Sequence, residues 1–216
     1  MRLPTGAEAR VSNEGAPVAA VLANGGTGRV VAGTWSATSE LLVHELAPRF
    51  PGVVFVEVRY RTKSWRALDA CVEDATAALE VAAAAGARRA LLVGFSMGGA
   101  VSVLAARHEL AAAVLGLAPW LPERLDLGGL RGKRLDVVHG AWDRALPFVP
   151  GVSPASSRAG FERARELGVE GSYSVIPRGL HGCALRSRSG RLVRLPRWQA
   201  WVAHAAAALE RFAASQ

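Results

Sequence analysis

Apolar residues in this 216-residue chain come in short bursts separated by longer amphipathic stretches. The bursts lie at 18–23 (VAAVLA), 53–58 (VVFVEV), 90–94 (ALLVG), 113–117 (AVLGL), 135–139 (LDVVH) and 171–176 (GSYSVI). Runs this apolar, rich in Val and Leu, fit strands of a parallel sheet buried on both faces. A weaker strand is expected at 7–12. Helical patterns fill the gaps at 38–49, 64–85, 96–107, 156–167 and 197–214. Pro51 follows the first, Gly86 the second and Gly168 the fourth, while Pro196 precedes the last. In the last helix Trp198, Trp201, Val202, Leu209 and Phe212 mark a core face. Repeated β-α units with short links predict an α/β fold, a doubly wound, mainly parallel sheet in a three-layer α/β/α sandwich. No repeat or low-complexity linker divides the chain, which predicts a single domain over 1–216. The link between 117 and 135, with Pro119, Pro122, Gly128 and Gly129, leaves little room for a cap domain. The face at the strand ends is therefore expected to be open.

Composition narrows the function. Half the residues are hydrophobic and a fifth charged, as in a globular chain. The formal charge of +8 raises nucleic acid as a partner. Its one local excess is Arg178, Arg186, Arg188, Arg191, Arg194 and Arg197. No nucleic-acid motif accompanies it and aromatic residues are sparse, so it reads as a solvated basic surface and no nucleic-acid partner is expected. The sharper alternative is attraction of an anionic substrate. Cys71 and Cys183 form neither a CxxC pair nor a Cys/His metal spacing. Reduced thiols, a cytoplasmic location and no metal are expected. The first twenty residues carry Glu8, Asn13 and Glu14 and no apolar leader core. No window of about 18 apolar residues predicts a membrane span.

The chemistry begins at Gly94-Phe95-Ser96-Met97-Gly98, where a predicted strand meets a predicted helix. In that context Gly-x-Ser-x-Gly forces a sharp turn and exposes the serine hydroxyl at its tip. The following helix start supplies N–H groups and a positive dipole end, which favour developing negative charge. The plain alternative is a glycine-rich turn capped by a serine. A second glycine loop, Asn24-Gly25-Gly26-Thr27-Gly28, follows the strand at 18–23. A dinucleotide fingerprint would require glycine where Val31 stands, and no Gly-Lys-Ser/Thr is present.

The spelling Gly-Phe-Ser-Met-Gly-Gly resembles the nucleophile elbow of the α/β-hydrolase superfamily, in particular small cap-less esterases and dienelactone-hydrolase-like members. The resemblance runs from about Val18 to the last helix. It implies an order of Ser, acid, His along the chain. The implied base is His181, in the loop Arg178-Gly179-Leu180-His181-Gly182 after the final strand. His44, His108, His139 and His204 fall on strands or helices, or before the acid. The implied acid is Asp143, in His139-Gly140-Ala141-Trp142-Asp143-Arg144-Ala145-Leu146-Pro147, which resembles the family's Gly-x-x-Asp-Arg-x-x-Pro turn. Asp126 and Asp136 are its competitors, and pairing with Arg144 is its plain alternative. The implied oxyanion donors are the Met97 N–H and that of Gly26 or Thr27. Asn24 stands where the family usually has His. Phe95, Trp120 and Trp142 are candidates for an acyl pocket or for simple packing, and Trp35, Tyr60 and Arg61 have no assigned role. Cys183, two residues past His181, either helps shape the site or is an incidental hydrophobe. The expected activity is hydrolysis of a small-molecule carboxylic ester or thioester through Ser96, His181 and Asp143, without a cofactor. Amide or C–C hydrolysis on the same site and a non-catalytic binding protein are the alternatives.

Overall fold

All six apolar runs become strands and lie side by side in one sheet. The computed structural model describes residues 1–143 and 151–215. In chain order the elements are β1 (Glu8–Ser12), β2 (Val18–Ala23), β3 (Val31–Ala32), α1 (Ala37–Leu46), β4 (Val53–Arg59), β5 (Thr62–Lys63), α2 (Leu68–Ala84), β6 (Arg89–Phe95), α3 (Gly98–Ala105), β7 (Ala111–Leu117), β8 (Arg134–Gly140), α4 (Pro154–Glu166), β9 (Glu170–Ile176), β10 (Ala184–Arg186), β11 (Leu192–Arg194) and α5 (Trp198–Ala214). The main sheet has the order β1-β4-β2-β6-β7-β8-β9. Only β1, the weak strand, runs antiparallel within it.

The continuous apolar runs are explained by burial on both faces. β4 turns Val54, Val56 and Val58 toward α2, α3 and α4, and Val53 and Phe55 toward α1 and α5. The resulting three layers match the α/β/α expectation. Strand order also decides where chemistry can sit. From β2 the chain moves outward to β4, then returns to place β6 on the other side of β2. Ligands in such sheets bind at the strand ends where the winding reverses. Here that point is the carboxyl end of β2 and β6, with Ala23 opposite Gly94. Among the described residues, the link from β7 to β8 holds only a short 3₁₀ turn at Gly128–Leu130, and no cap is built there. No described helix is long and apolar enough to cross a membrane.

Several boundaries differ from the sequence expectation. The first helix is capped by the Ser36 hydroxyl, which accepts from Ser39 N at 3.2 Å, so it starts before Thr38. It stops at Leu46, because Asn13 donates to the Ala47 and Phe50 carbonyls at 2.9 and 3.1 Å. The second helix starts at Leu68 instead of 64. Ser64 caps a separate 3₁₀ turn, Trp65–Ala67, by accepting from Arg66 N at 3.1 Å. The strands β3, β5, β10 and β11 are only two or three residues long, too short to show a pattern, and lay outside the expected one.

One carboxyl interrupts the buried strands. Glu57 on β4 is 6 % exposed, and its Oε2 has no partner among the described residues. Burial raises its pKa from the ordinary 4.5 to about 7, against the pull of Arg10. Below 4.5 both folded and unfolded chains hold the proton; between 4.5 and about 7 only the folded chain does. Stability from this group therefore falls as pH rises through that window. A shift of this size is worth about 3 kcal/mol. Glu57→Gln, neutral throughout, should gain about 3 kcal/mol on the wild type between about pH 4 and pH 8 in urea unfolding. An equal stability difference at both pH values would count against this account.

Candidate active site

Ser96 sits between β6 and α3 with φ at +55°, a left-handed conformation that costs a non-glycine residue on the order of 1–3 kcal/mol. Neighbouring backbone holds it there. Ser96 N donates to Leu117 O at 3.0 Å, and Ser96 O accepts from Gly99 N at 2.9 Å and Trp120 N at 2.8 Å. The two glycines of the motif have a steric cause. A Cβ at Gly94 would overlap the Gly98 carbonyl, and one at Gly98 would overlap the Ala23 carbonyl. The turn can thus form only with β2, β6 and α3 in close contact.

Asp143 follows β8 and is buried, 2 % exposed. Its Oδ2 accepts from His181 Nδ1 at 2.6 Å. The same oxygen lies 3.0 Å from His139 Nε2, and Oδ1 accepts from Val152 N at 3.2 Å. Burial by itself would raise the Asp143 carboxyl. The hydrogen bonds from His139 and His181 outweigh it and hold the carboxyl below its usual range. The loop carrying His181 is tied to the loop carrying Asp143. Ala141 N donates to Ile176 O at 3.0 Å and Trp142 N to Gly179 O at 2.9 Å. A Cβ at Gly140 would overlap the Gly179 and Leu180 carbonyl oxygens. Phe95, next to Ser96, packs its ring on the His181 imidazole at 4.9 Å. Among the described residues, the bond to Asp143 is the one hydrogen bond of the His181 ring. His181 keeps its Nδ1 hydrogen and donates it to the carboxylate, which leaves Nε2 as the ring's free acceptor among the described residues.

The competing acids are engaged elsewhere. Asp136 is bound by Arg134, Arg211 and Ser172. Asp126 pairs with Arg107 and accepts from Gly128 N. Arg144, the alternative partner of Asp143, and Ala145-Leu146-Pro147 of its motif lie outside the described residues. Burial pushes the Cys183 thiol up to about 12 and Cys71 to about 11, so neither is an ionised nucleophile near neutral pH.

Gly26 touches Met97: a Cβ there would overlap the Met97 sulfur. With Ser96, Trp65, Trp120, Gly151 and Val152 these two line a cavity of about 330 Å³. Among the described residues, neither the Met97 nor the Gly26 N–H donates to a protein acceptor. Thr27 is not part of this lining; its hydroxyl donates to Arg29 O at 2.7 Å and its carbonyl accepts from Trp65 N at 3.2 Å. Asn24 anchors the loop. Its Oδ1 accepts from Gly25 N at 2.6 Å, its Nδ2 donates to Thr34 O at 2.7 Å, and its carbonyl accepts from Tyr60 Oη at 3.2 Å.

No protein-family model matches the chain, and no curated protein does. Solved structures do. A sugar hydrolase from Lactococcus lactis superposes with a TM-score of 0.68 at 17 % identity, covering 94 % of each chain. An α/β serine hydrolase without lid from Xanthomonas campestris gives 0.62 at 19 %, covering 84 % of each chain. A dienelactone hydrolase from Anabaena variabilis gives 0.63 at 15 %, covering 93 % of this chain and 89 % of its own. Esterases stand among the further matches. This is the α/β-hydrolase fold.

On this fold the Ser96 turn and the loops carrying Asp143 and His181 leave the carboxyl ends of β6, β8 and β9, on one side of the same sheet. Of the pocket candidates, Trp120 lines the cavity, while Phe95 packs on His181 and is not part of the lining. Trp142 is 56 % exposed and outside that lining. Trp35 lies under the Arg10 guanidinium at 4.0 Å. Arg61 pairs with Glu73 and Asp74. Within the basic segment, Arg186 pairs with Glu40 and Arg194 with Glu45, and none of its six arginines lines the cavity at Ser96. Sequence reasoning missed Trp65, whose ring lies 6.5 Å from that of Trp120. Its only signal was an indole just beyond a strand's carboxyl end. It set aside His139, a polar residue on the strand face that carries Leu135 and Val137, without expecting its contact with Asp143.

Proposed function

We propose that this protein is a serine hydrolase that cleaves a carboxylic ester or thioester through an acyl-enzyme. The reading rests above all on the 2.6 Å bond from His181 to a buried Asp143, together with a serine held at positive φ whose neighbour Phe95 packs on the His181 ring. His181 Nε2 takes the Ser96 proton as Oγ attacks the carbonyl carbon. The Met97 and Gly26 N–H groups receive the oxyanion. Collapse of the tetrahedral intermediate breaks the acyl bond, and His181 returns the proton to the leaving alcohol or thiol. Water then attacks the acyl-Ser96 ester, giving its proton to His181. The second intermediate expels Ser96, which regains the proton, and the acid leaves. Asp143 stays ionised and stabilises the imidazolium formed in each half-reaction. Esterases and a dienelactone hydrolase on the same fold support ester chemistry. Two buried, protonated thiols fit a cytoplasmic setting.

A fluorophosphonate probe tests this directly. Stoichiometric labelling on the Ser96 peptide is expected, and an unlabelled native protein would sink the reading. In this reading the acyl group lies against the Trp65 and Trp120 rings that line the cavity at Ser96. Trp65→Ala should lower kcat/KM for short acyl esters about tenfold, and lengthen the preferred chain, because a lost apolar contact is worth about 1–3 kcal/mol. An unchanged chain-length profile across p-nitrophenyl esters would remove Trp65 from the acyl pocket.

A further inference from the structure

Asp143 Oδ2 faces two imidazoles, and only one of them belongs to the hydrolytic step described above. The other, His139, is fully buried on β8. Its Nε2 lies 3.0 Å from Asp143 Oδ2 and 2.9 Å from Val152 O. Both neighbours are acceptors, so Nε2 carries the proton and shares it between them. Nδ1 lies 2.7 Å from Ser157 Oγ on α4, and that oxygen lies 2.7 Å from Tyr173 Oη on β9. Both hydroxyls also reach Pro154 O, at 3.1 and 2.8 Å. With neutral His139, the Ser157 hydroxyl donates to Nδ1, and the Tyr173 hydroxyl donates to Ser157 Oγ or Pro154 O. Every hydrogen in this buried chain then has an acceptor, as burial demands.

Packing alone would require only that a buried imidazole be satisfied, and Val152 O and Ser157 already do that. The third contact goes to the carboxylate oxygen that His181 uses. We propose that His139 is a positioning residue for the hydrolytic reaction. It pins the Asp143 carboxylate with Oδ2 turned to His181 Nδ1, while Ser157 and Tyr173 hold His139 in the tautomer that donates from Nε2. Val152 O matters as well. When His181 becomes an imidazolium and draws Oδ2 closer, the shared N–H can lean on Val152 O, so Oδ2 can shift without leaving His139 unpaired. The proposal rests on the serine-hydrolase reading.

Three variants test it. His139→Leu fills space without a donor, His139→Gln offers an amide N–H near the Nε2 position, and Ser157→Ala removes the donor that sets the tautomer. For folded His139→Leu, kcat on a p-nitrophenyl ester should fall about 10–100-fold with KM within about twofold. His139→Gln should recover kcat to within about fivefold of wild type, and Ser157→Ala should fall between the two. Fluorophosphonate labelling rates at Ser96 should follow the same order. A His139→Leu enzyme with wild-type kcat, or Leu and Gln variants equally impaired, would overturn the proposal. If His139→Leu does not fold, Ser157→Ala decides, and wild-type kcat there overturns it. A wild-type protein that neither labels nor hydrolyses esters removes the serine-hydrolase reading and this proposal with it. A wild type that labels beside an unimpaired His139→Leu removes the proposal alone.

Discussion

Ser96→Ala should abolish fluorophosphonate labelling and lower ester kcat by about six orders of magnitude, the scale seen when a hydrolase loses its nucleophile. Alanine leaves the Met97 and Gly26 N–H groups in place, so any residual rate measures what the oxyanion site supplies without covalent chemistry. The fold should survive. Ser96 is held by backbone hydrogen bonds, donating to Leu117 O and accepting from Gly99 N and Trp120 N, none of which uses the hydroxyl. Alanine keeps the +55° φ, and with it the strain. Ser96→Gly is the informative companion. It should lose activity equally but gain about 1 kcal/mol of stability, because glycine accepts positive φ without that penalty. Ester turnover by Ser96→Ala within about tenfold of wild type would assign the nucleophile to another residue. Equal melting temperatures for the Ala and Gly variants would deny the strain.

Asp143→Asn carries the second largest effect, a fall in kcat of about 10⁴ with substrate binding largely kept. The hydrogen bonds explain why an isosteric change is so damaging here. Oδ2 accepts from two imidazole N–H groups while Oδ1 accepts from Val152 N–H. An amide has one acceptor end. If its oxygen faces the imidazoles, its NH₂ opposes the Val152 N–H; if it flips, the NH₂ opposes both imidazoles. The first arrangement costs stability, and the second pushes His181 toward the tautomer that cannot take the Ser96 proton. A buried unpaired donor costs about 1–3 kcal/mol, so thermal unfolding should shift together with kcat. The acid side follows the same logic. Asp143 is held below its usual range in the folded chain, so its stabilising contribution is present above the unfolded carboxylate pKa. That contribution is lost as pH falls through the lower folded value. Asp143→Asn retaining kcat within about tenfold of wild type would remove the carboxylate from the mechanism.

These two residues illustrate how unevenly the site could be read. Ser96 was legible because its signal is local: a buried strand, a turn that only glycines permit, and a helix, all within a short stretch. Asp143 and His181 were singled out through the order that the family resemblance implies, and the structure brings the two into hydrogen-bond contact. Trp65 was hidden because 64–85 reads as one helical pattern, whereas Ser64 caps a separate turn that presents the indole to the cavity. His139 was set aside as a strand residue before the acid. Its meaning depends on α4 and β9, which bring Ser157 and Tyr173 to it from 18 and 34 positions further along.

The sequence by itself determined the layers, the parallel strands and the tight turn at Ser96, because burial on both faces and a glycine-dependent turn are written in neighbouring residues. Tertiary structure decided which groups share the space around that turn. Gly26 meets Met97 because β2 and β6 pair with Ala23 opposite Gly94. Asp143 meets both His139 and His181 because parallel β8 and β9 run in register to Gly140 and Ile176. Such contacts depend on strand order and register, and these follow from packing the whole chain at once.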